Sequence, residues 1–240
     1  MSTLIHAVSG PRNISTALMY SFAQRAGCCV MDEPFYGVYL EKTGIDHPGR
    51  EETMAMWPTN SRAAIAQIGE KQEHCSTLYL KNMAHHMVDE PWDWAANAVH
   101  VFWIRHPRKV VQSFTKVISD ITVDDIGLVQ EWEVWQKIQN FKGAKVIVDS
   151  DEMLEDPGRT MPQVCQALGL DWDEAMLSWP SGAKDYDGPW WPHWYSAVHA
   201  STGFGPGKEM PEPLADRHEK VVEQAVDAYK NLYSNRLIFR

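Results

Sequence analysis

Short runs of mostly apolar residues recur along the first two thirds of the chain. Each run is only four to six residues long, and together they occupy Leu4–Val8, Cys28–Met31, Thr77–Leu80, Val99–Ile104 and Lys145–Val148. Short, continuous apolar runs are typical of strands that are covered on both faces, as in a parallel sheet. The pattern therefore predicts five buried strands.

Segments with helical spacing of apolar positions alternate with these strands. They lie at Ser15–Arg25, Ser61–Gln72, Arg108–Val117, Asp124–Asn140, Thr160–Leu168 and Pro213–Tyr233. Alternating strands and helices indicate an α/β fold, a three-layer sandwich whose central sheet is mainly parallel. Because 240 residues suit one sizeable core better than two, we expect a single domain over residues 1–240.

Two segments interrupt this alternation. Gly44–Met56 mixes charges with a Pro-Gly pair and reads as a surface loop. The segment 180–213 is rich in proline and glycine but contains the aromatic run Trp190–Tyr195. It is too apolar for a disordered linker, and long ordered loops usually carry function, so we expect a lid or a substrate loop there. Whether the aromatic run packs in the core or lines an apolar acceptor pocket is left open.

The overall charge limits the partners that this chain can have. Its net charge is −10 at pH 7, which disfavours general binding to nucleic acid or to an anionic membrane. Any anion-binding site must therefore be a local group of cations in an acidic protein. Sulfated polysaccharide ligands, which call for basic clefts, are disfavoured for the same reason.

The spacing of the cysteines and the absence of targeting patterns indicate the cellular compartment in which we expect the protein. Cys28, Cys29, Cys75 and Cys165 form no C-x-x-C pair, so the sequence suggests neither a zinc site nor a disulfide framework. The first residues do not have the pattern of a signal peptide, and no apolar run approaches the length of a membrane-spanning helix. We therefore expect a soluble, cytoplasmic protein in a reducing compartment.

The stretch SGPRNISTAL, from Ser9 to Leu18, has the layout of a phosphate-binding loop. It joins the first predicted strand to a helix, and the N–H groups and dipole at a helix N-terminus bind phosphate or sulfate. Ser15 and Thr16 add hydroxyl groups at the helix start, and Arg12 adds a cation with a planar fork suited to oxyanions. The sequence therefore indicates an anion site here.

This loop differs from the common nucleoside-triphosphate loop. That loop has a lysine directly before its Ser or Thr, whereas Ile14 precedes Ser15 here and the cation is Arg12. Asp32 is the nearest candidate for a strand-end magnesium ligand. Taken alone, the loop is explained equally well by a capped helix after a tight turn.

A second basic segment, FWIRHPRKVVQSF from Phe102 to Phe114, follows the fourth predicted strand. It contains Arg105 at the strand end and Ser113 eight residues later, within a helix. Because the carboxyl ends of parallel strands meet at one rim, Arg12 and Arg105 are expected to lie on the same side of the sheet. Two cationic sites there suit a nucleotide that is phosphorylated at both ends of its ribose.

In residues and in order, these segments resemble the sulfotransferase family. PRNISTALMY is similar to the loop that binds the 5′-phosphosulfate of the donor, and IRHPRKVVQSF is similar to the segment that binds its 3′-phosphate. VIVDSDEMLEDPGRTMPQVCQALGL resembles the strand, acidic turn and helix that follow in the family. The resemblance spans roughly residues 4–180. The opening of the chain also resembles a bacterial and plant branch of the family.

The resemblance implies a P-loop NTPase-like fold and a donor, 3′-phosphoadenosine 5′-phosphosulfate (PAPS), which leaves as adenosine 3′,5′-bisphosphate (PAP), with no metal required. The residues that it assigns to donor binding are Pro11, Arg12, Asn13, Ile14, Ser15, Thr16, Arg105, Ser113 and, in a late glycine-bearing loop, Lys208. Many members have Gly at the position of Ile14. Arg12 is also implied as a catalytic residue that stabilises the departing phosphate oxygen.

The acceptor must lose a proton, so the rim needs a general base. Glu33 follows the second strand, and some sulfotransferases have a catalytic glutamate there. His85 and His86 follow the third strand, where cytosolic members have a catalytic His after a Lys, but here they are two or three positions out of register. The catalytic candidates are therefore Glu33, His85 and His86, with Glu33 slightly favoured, and each also has an ordinary structural explanation.

The leading hypothesis is sulfuryl transfer from PAPS to a hydroxyl or amine of a small-molecule acceptor. The alternatives are a metal-dependent small-molecule kinase and a non-catalytic nucleotide-binding module of the same fold. A metal site using His85 and His86 with His100 or His106 matches no known spacing. The sequence does not indicate the acceptor or the oligomeric state.

Overall fold

The computed structural model describes residues 2–87, 89–116, 118 and 120–240. Its five strands form one sheet in the order β2-β3-β1-β4-β5, and every neighbouring pair is parallel. The strands are β1 (Thr3–Ser9), β2 (Cys28–Asp32), β3 (Thr77–Met83), β4 (Val99–Ile104) and β5 (Lys145–Asp149). The prediction of an α/β fold with a parallel central sheet is confirmed.

Helices connect the strands and cover both faces of the sheet. They are α1 (Ser15–Ala23), α2 (Tyr36–Thr43), α3 (Arg50–Met56), α4 (Ser61–Glu73), α5 (Ala84–Met87), α6 (Pro107–Phe114), α7 (Val123–Ile126), α8 (Leu128–Lys137), α9 (Ser150–Met153), α10 (Pro157–Ala167), α11 (Trp191–Trp194), α12 (Ser196–His199) and α13 (Asp216–Tyr233). Five of the six predicted helices are present with small shifts of their ends. Val117, the predicted end of the helix that is now α6, lies outside the described residues.

Side chains of β1 alternate between two cores, one on each face of the sheet. Ile5 and Ala7 belong to the core under α1 and α10, whereas Leu4 and Val8 contact the core under α4, α6, α8 and α13. Strand side chains alternate in this way because successive Cβ atoms point to opposite faces. The two cores give the predicted three-layer sandwich.

The strand register determines where the functional residues lie. At the end of β1, Ser9 is paired with Met83 of β3 and Trp103 of β4. The segments that follow these strands therefore start at one rim. That rim carries the loop after β1, the beginning of α5 and the segment around Arg105.

The loop predicted over Gly44–Met56 is partly wrong, because Arg50–Met56 forms α3. Gly49 adopts a left-handed conformation at the helix start, with φ 81°. Glu51 and Glu52 lie in the first turn, where negative charge is favourable to the helix dipole.

The expectation about the cysteines is also wrong. Cys29 of β2 and Cys75, just before β3, form a disulfide with their Cα atoms 5.8 Å apart. They are 46 residues apart in sequence and meet only because β2 and β3 pair. Cys28 and Cys165 are free thiols. Among the described residues, no helix combines the length and the apolar character that crossing a membrane requires.

The single helix predicted over Asp124–Asn140 is broken at Gly127 into α7 and α8. Gly127 has φ 72° and ψ −2°, a left-handed conformation that favours glycine. A Cβ at this position would lie 3.0 Å from Gly10 Cα and 3.4 Å from Pro11 Cδ. The break therefore lets the α7–α8 corner pack closely against the loop after β1.

We predict that Gly127→Ala lowers the free energy of unfolding by about 1–2 kcal/mol, since alanine would be strained in the left-handed region and would crowd Gly10. The matched control is Gly69→Ala in α4, where a Cβ meets no atom within 4 Å. Gly69→Ala should raise stability by about 0.5–1 kcal/mol. Urea unfolding of the three proteins measures both effects, and equal stability of Gly127→Ala and the parent would contradict the role given to the corner.

Candidate active site

A cavity of about 710 Å³ lies at the rim formed by the carboxyl ends of the strands. All of the site residues predicted from the sequence line it: Pro11, Arg12, Asn13, Ile14, Ser15, Thr16, Glu33, His85, His86, Arg105, Ser113 and Lys208. Residues between Trp190 and Lys208 form another part of its wall. The segment expected to be a lid or a substrate loop thus lies against the cavity.

The loop after β1 has an unusual backbone conformation. Arg12 has φ 60° and Ile14 has φ 50°, and left-handed conformations cost roughly 1–2 kcal/mol for residues other than glycine. Ile14 is the N-cap of α1, and no side chain caps this helix end. The N–H groups of its first turn therefore remain available to an anion, which favours the anion-site interpretation over a capped helix.

Asn13 holds this strained loop against the sheet. Its side chain is 2% exposed, donates a hydrogen bond to the carbonyl of Trp103 and accepts one from the Ser150 hydroxyl. Both polar atoms of the Asn13 side chain are thus used by contacts at the ends of β4 and β5. Its side chain anchors the loop on which Arg12 and Ser15 lie.

Arg105 connects the same loop to the end of β4. Its guanidinium donates to the carbonyl of Arg12 at 3.1 Å and to Oδ1 of Asp151 at 3.1 and 3.2 Å. Arg12 Nε donates to the hydroxyl of Ser113 at 3.1 Å. The structure therefore brings Arg12, Arg105 and Ser113 into one hydrogen-bonded group.

Positive charges are crowded in this part of the cavity. Burial, and after it the charge of Arg105, lowers the pKa of Arg12. Burial and the charges of Lys116, Arg105 and Arg12 lower the pKa of Lys208. Asp151 is the acidic partner of both Arg105 and Lys109. Cations that repel one another in this way fit a site for an anion with several charges.

Glu33 lies at the end of β2 in a buried position. It is 6% exposed, has φ 45° and donates its N–H to the carbonyl of Lys81 at 2.7 Å. Its Oε1 accepts a hydrogen bond from Lys81 Nζ at 2.5 Å. Burial raises the pKa of Glu33 to about 7 although the charge of Lys81 opposes the shift. A carboxyl group with such a pKa is suited to accept a proton near neutral pH.

Lys81 is the functional residue that the sequence analysis missed. It is 1% exposed, and its Nζ donates to Asp32 Oδ1 at 2.8 Å and to Tyr195 Oη at 2.8 Å, besides Glu33. Burial favours the neutral amine, but the two carboxylates outweigh it and hold the pKa of Lys81 well above its ordinary value. A lysine directly after the apolar run Thr77–Leu80 was the available signal, because lysine is almost never buried without a partner.

Tyr195 joins the segment 180–213 to this buried ion pair. Its hydroxyl donates to Asp32 Oδ2 at 2.7 Å and accepts from Trp190 Nε1 at 3.0 Å. The N–H of Gly188 also donates to Asp32 Oδ2, at 3.0 Å. The aromatic run thus has a definite role: Trp190 and Tyr195 are buried and attach the segment to the end of β2.

His85 and His86 line the cavity as neutral rings. Burial, with the charge of neighbouring histidines second, lowers the pKa of His85 to about 4 and that of His86 well below its usual range. His86 Nδ1 lies 3.8 Å from Glu33 Oε2, and the His86 ring stacks on Tyr36 with centroids 4.7 Å apart. Such low pKa values make both rings weaker bases than Glu33.

The alternative metal site does not assemble. His100 pairs with His6, with their Nδ1 atoms 3.3 Å apart, and His106 accepts the N–H of Arg108 at the start of α6. In residues 2–87, 89–116, 118 and 120–240, no three His, Cys, Asp or Glu side chains are grouped as metal ligands.

Comparisons with known proteins identify the family to which the chain is similar. A family model described as a sulfotransferase domain matches residues 3–236. Two proteins of Arabidopsis thaliana, named branched-chain-amino-acid aminotransferase-like proteins 1 and 2, are each 31% identical to the chain over 233 and 237 residues, or 97% and 95% of its length. The chain spans only 42% and 41% of the length of these relatives.

Three solved structures have a similar fold. The sulfotransferase domain of the Synechococcus PCC 7002 olefin synthase has a TM-score of 0.55 at 17% identity and covers 94% of this chain and 96% of its own. The sulfotransferase domain from the curacin biosynthetic pathway has a TM-score of 0.55 at 16% identity, and the match covers 94% of this chain and 98% of that domain. A sulfotransferase from Alicyclobacillus acidocaldarius has a TM-score of 0.59 at 10% identity, and the match covers 99% of this chain and 98% of that protein. The predicted P-loop NTPase-like fold is thereby confirmed.

We predict that Lys81→Met lowers the free energy of unfolding by about 3–5 kcal/mol at pH 8, because it leaves the carboxylates of Asp32 and Glu33 buried without a cation. Without Lys81 the folded state holds their protons more tightly than the unfolded chain does, so the loss shrinks as the pH falls toward 5. Urea unfolding at pH 8 and pH 5 measures both quantities.

The matched control is Lys230→Met in α13, whose side chain is 68% exposed and faces Asp227 at 3.7 Å. It should change stability by less than about 0.5 kcal/mol. A similarly small loss for Lys81→Met at pH 8 would show that the buried ion pair does not hold the site together.

Proposed function

The chain belongs to the sulfotransferase domain family, and on that premise we propose that it transfers a sulfuryl group from PAPS to a hydroxyl or an amine of a small-molecule acceptor. The observation that carries the proposal is one cavity that is lined both by a group of cations and by a carboxyl group with a pKa of about 7. Anion binding and proton acceptance are the two tasks that this reaction requires.

The residues at the cationic end fit a donor with phosphate groups at both ends of its ribose. The N–H groups and hydroxyls of Ser15 and Thr16, at the start of α1, would hold the 5′ end. Arg105 would hold the 3′-phosphate with Lys208, which lines the cavity nearby. The hydroxyl of Ser113 accepts a hydrogen bond from Arg12 Nε, so Ser113 connects the residues at the 5′ end of the donor with those at its 3′ end.

Arg12 is the group that favours the transfer step. The donor supplies the sulfuryl group, and negative charge grows on the phosphate oxygen from which it departs. The guanidinium of Arg12 is held by the hydroxyl of Ser113 and lines the cavity, and we assign to it the stabilisation of that charge. A fixed donor of this kind contributes about 3 kcal/mol to lowering the barrier.

Glu33 accepts the proton of the acceptor. Lys81 occupies Oε1, whereas Oε2 forms no hydrogen bond with the described residues and lies 3.8 Å from His86 Nδ1. As the acceptor oxygen bonds to sulfur, its O–H bond breaks and the proton passes to Glu33. The bond between sulfur and the phosphate oxygen breaks, and PAP leaves.

The kinase alternative has less support in the geometry. Asp32, the aspartate best placed to bind magnesium, already accepts hydrogen bonds from Lys81, Tyr195 and Gly188. Calorimetry separates the two readings. We expect PAP to bind in the presence of EDTA, whereas binding of Mg-ATP without binding of PAP would favour the kinase.

The non-catalytic alternative is tested by transfer itself. We expect labelled sulfate to move from PAPS to at least one member of a broad panel of small alcohols, phenols and amines. An intact PAP site without transfer to any of them would support a binding module.

We predict that Arg12→Ala lowers kcat by about 100-fold, because its charge acts on the transition state. Arg105→Ala should instead weaken PAP binding by at least about tenfold, with a smaller effect on kcat, because it removes a charge-assisted contact. Steady-state kinetics and calorimetry with PAP separate the two effects.

Arg217→Ala, at an exposed position of α13, is the control and should leave both quantities unchanged. Unchanged turnover in Arg12→Ala would remove Arg12 from the proposed mechanism.

We predict that kcat/KM rises with pH up to about 7, as Glu33 loses its proton, and then levels off. Glu33→Gln keeps an oxygen for Lys81 but cannot take a proton, so it should lower kcat by about 10²–10⁴-fold and abolish the pH step. His86→Gln should retain the step. The opposite result, with the step lost in His86→Gln and kept in Glu33→Gln, would assign the base to the histidine.

A further inference from the structure

The wall of the cavity around Glu33 is built from aromatic rings. Tyr36 stacks on His86 and contacts Trp190 edge to face, with centroids 4.7 and 4.8 Å apart. Tyr39 contacts His86 at 4.5 Å and His85 at 5.2 Å. Aromatic rings provide apolar surface, and their faces also attract cations.

Two carboxylates of α7 line the same part of the cavity. Asp124 and Asp125 lie close enough that, after burial, their charges raise the pKa of Tyr39. Asp124 accepts a hydrogen bond from Gln130, and Asp125 accepts from Thr122. Across the described ranges of the chain, no ion pair involves either carboxylate. Neither carboxylate is therefore paired with a cation of the described residues; Asp124 is exposed to solvent and Asp125 is half-buried.

The protein supplies almost no positive charge to this end of the cavity. Burial lowers the pKa of His47, His85 and His86, so these rings are neutral at pH 7. The charge of Lys81 is matched by Asp32 and Glu33. The aromatic rings and the two carboxylates thus line a part of the cavity to which these side chains add no net positive charge, whereas the cations of the site are grouped around Arg105.

A buried nitrogen in this part of the cavity also lacks a hydrogen bond. His86 is only 4% exposed and lines the cavity, and within the described part of the chain its Nδ1 forms no hydrogen bond. Buried polar atoms are nearly always hydrogen-bonded, so an orphan beside a cavity indicates a group supplied by a ligand. A neutral ring nitrogen can accept a hydrogen bond from a hydroxyl or from a charged N–H group.

We infer that the acceptor is a cationic alcohol or phenol, with its hydroxyl at Glu33 and its positively charged nitrogen between the aromatic rings and the carboxylates of Asp124 and Asp125. The inference rests on the proposed function for the identity of the reacting hydroxyl. A neutral acceptor would fill the aromatic wall but would leave the charge of α7 unmatched. An anionic acceptor would be repelled by it.

Matched pairs of acceptors test the inference directly. Choline and 3,3-dimethylbutan-1-ol have nearly the same shape and differ by one charge, and tyramine and 4-propylphenol form a corresponding aromatic pair. We expect kcat/KM to be at least about tenfold higher for the cationic member of at least one pair, since a charge near two carboxylates and several rings gains that much. The ratio should fall as salt is raised from 0.05 to 0.5 M, values chosen because screening is strong across this range.

Variants locate the source of the preference. Asp124→Asn should reduce the ratio of kcat/KM between cationic and neutral members by about threefold or more. Asp227→Asn is the matched control: its side chain is 88% exposed on α13, away from the cavity lining, and it should leave the ratio unchanged. Equal use of both members of both pairs, or an unchanged ratio in Asp124→Asn, would overturn the inference.

Calorimetry keeps this test separate from that of the proposed function. Each pair is titrated into the full chain with and without PAP. Failure of PAP to bind would contradict the proposed function, while tighter binding of the cationic members would still support the charge preference. PAP binding combined with equal or tighter binding of the neutral members would contradict the inference alone.

Discussion

Lys81 is a charged residue of the central sheet that is only 1% exposed. The carboxylates of Asp32 and Glu33 balance the charge of its ammonium group. Desolvating three charged groups is costly, and good geometry with further hydrogen bonds is needed to offset the cost. Tyr195 and Gly188 provide those hydrogen bonds from the segment 180–213. The ion pair therefore depends on the segment that covers it, and the segment in turn is attached through the ion pair.

This arrangement explains how one acidic protein can both bind an anion and accept a proton in the same cavity. The loop after β1 is strained at Arg12 and Ile14 and is held by Asn13, so that its cation and its free N–H groups point to one place. A short distance along the rim, burial raises the pKa of Glu33 while Lys81 fixes one of its oxygens. The strand order brings both groups to one rim, because only β3, which carries Lys81, separates β2 from β1.

Much of the fold and of the site could be predicted because local patterns determine them. The apolar run of β1 and the eight-residue spacing of Arg105 and Ser113 are visible in the sequence. The break at Gly127 is not visible in the sequence, because the helical spacing of apolar residues continues across it. Only the close packing of Gly127 against Gly10 requires the break. The disulfide between Cys29 and Cys75 follows from strand pairing, and the role of Lys81 follows from partners 48 and 114 residues away. The lysine in a buried strand was a local signal, but the sequence does not show which distant residues are its partners.

The central claim is that one cavity holds the donor at its cationic end with Glu33 facing the transferred group. A crystal structure of the chain with PAP bound tests it most directly. We expect the 5′-phosphate on the N–H groups of Ser15 and Thr16, the 3′-phosphate in contact with Arg105, and open space for an acceptor between the 5′-phosphate and Glu33. A nucleotide bound outside this cavity, or bound with its two phosphates exchanged, would contradict the account.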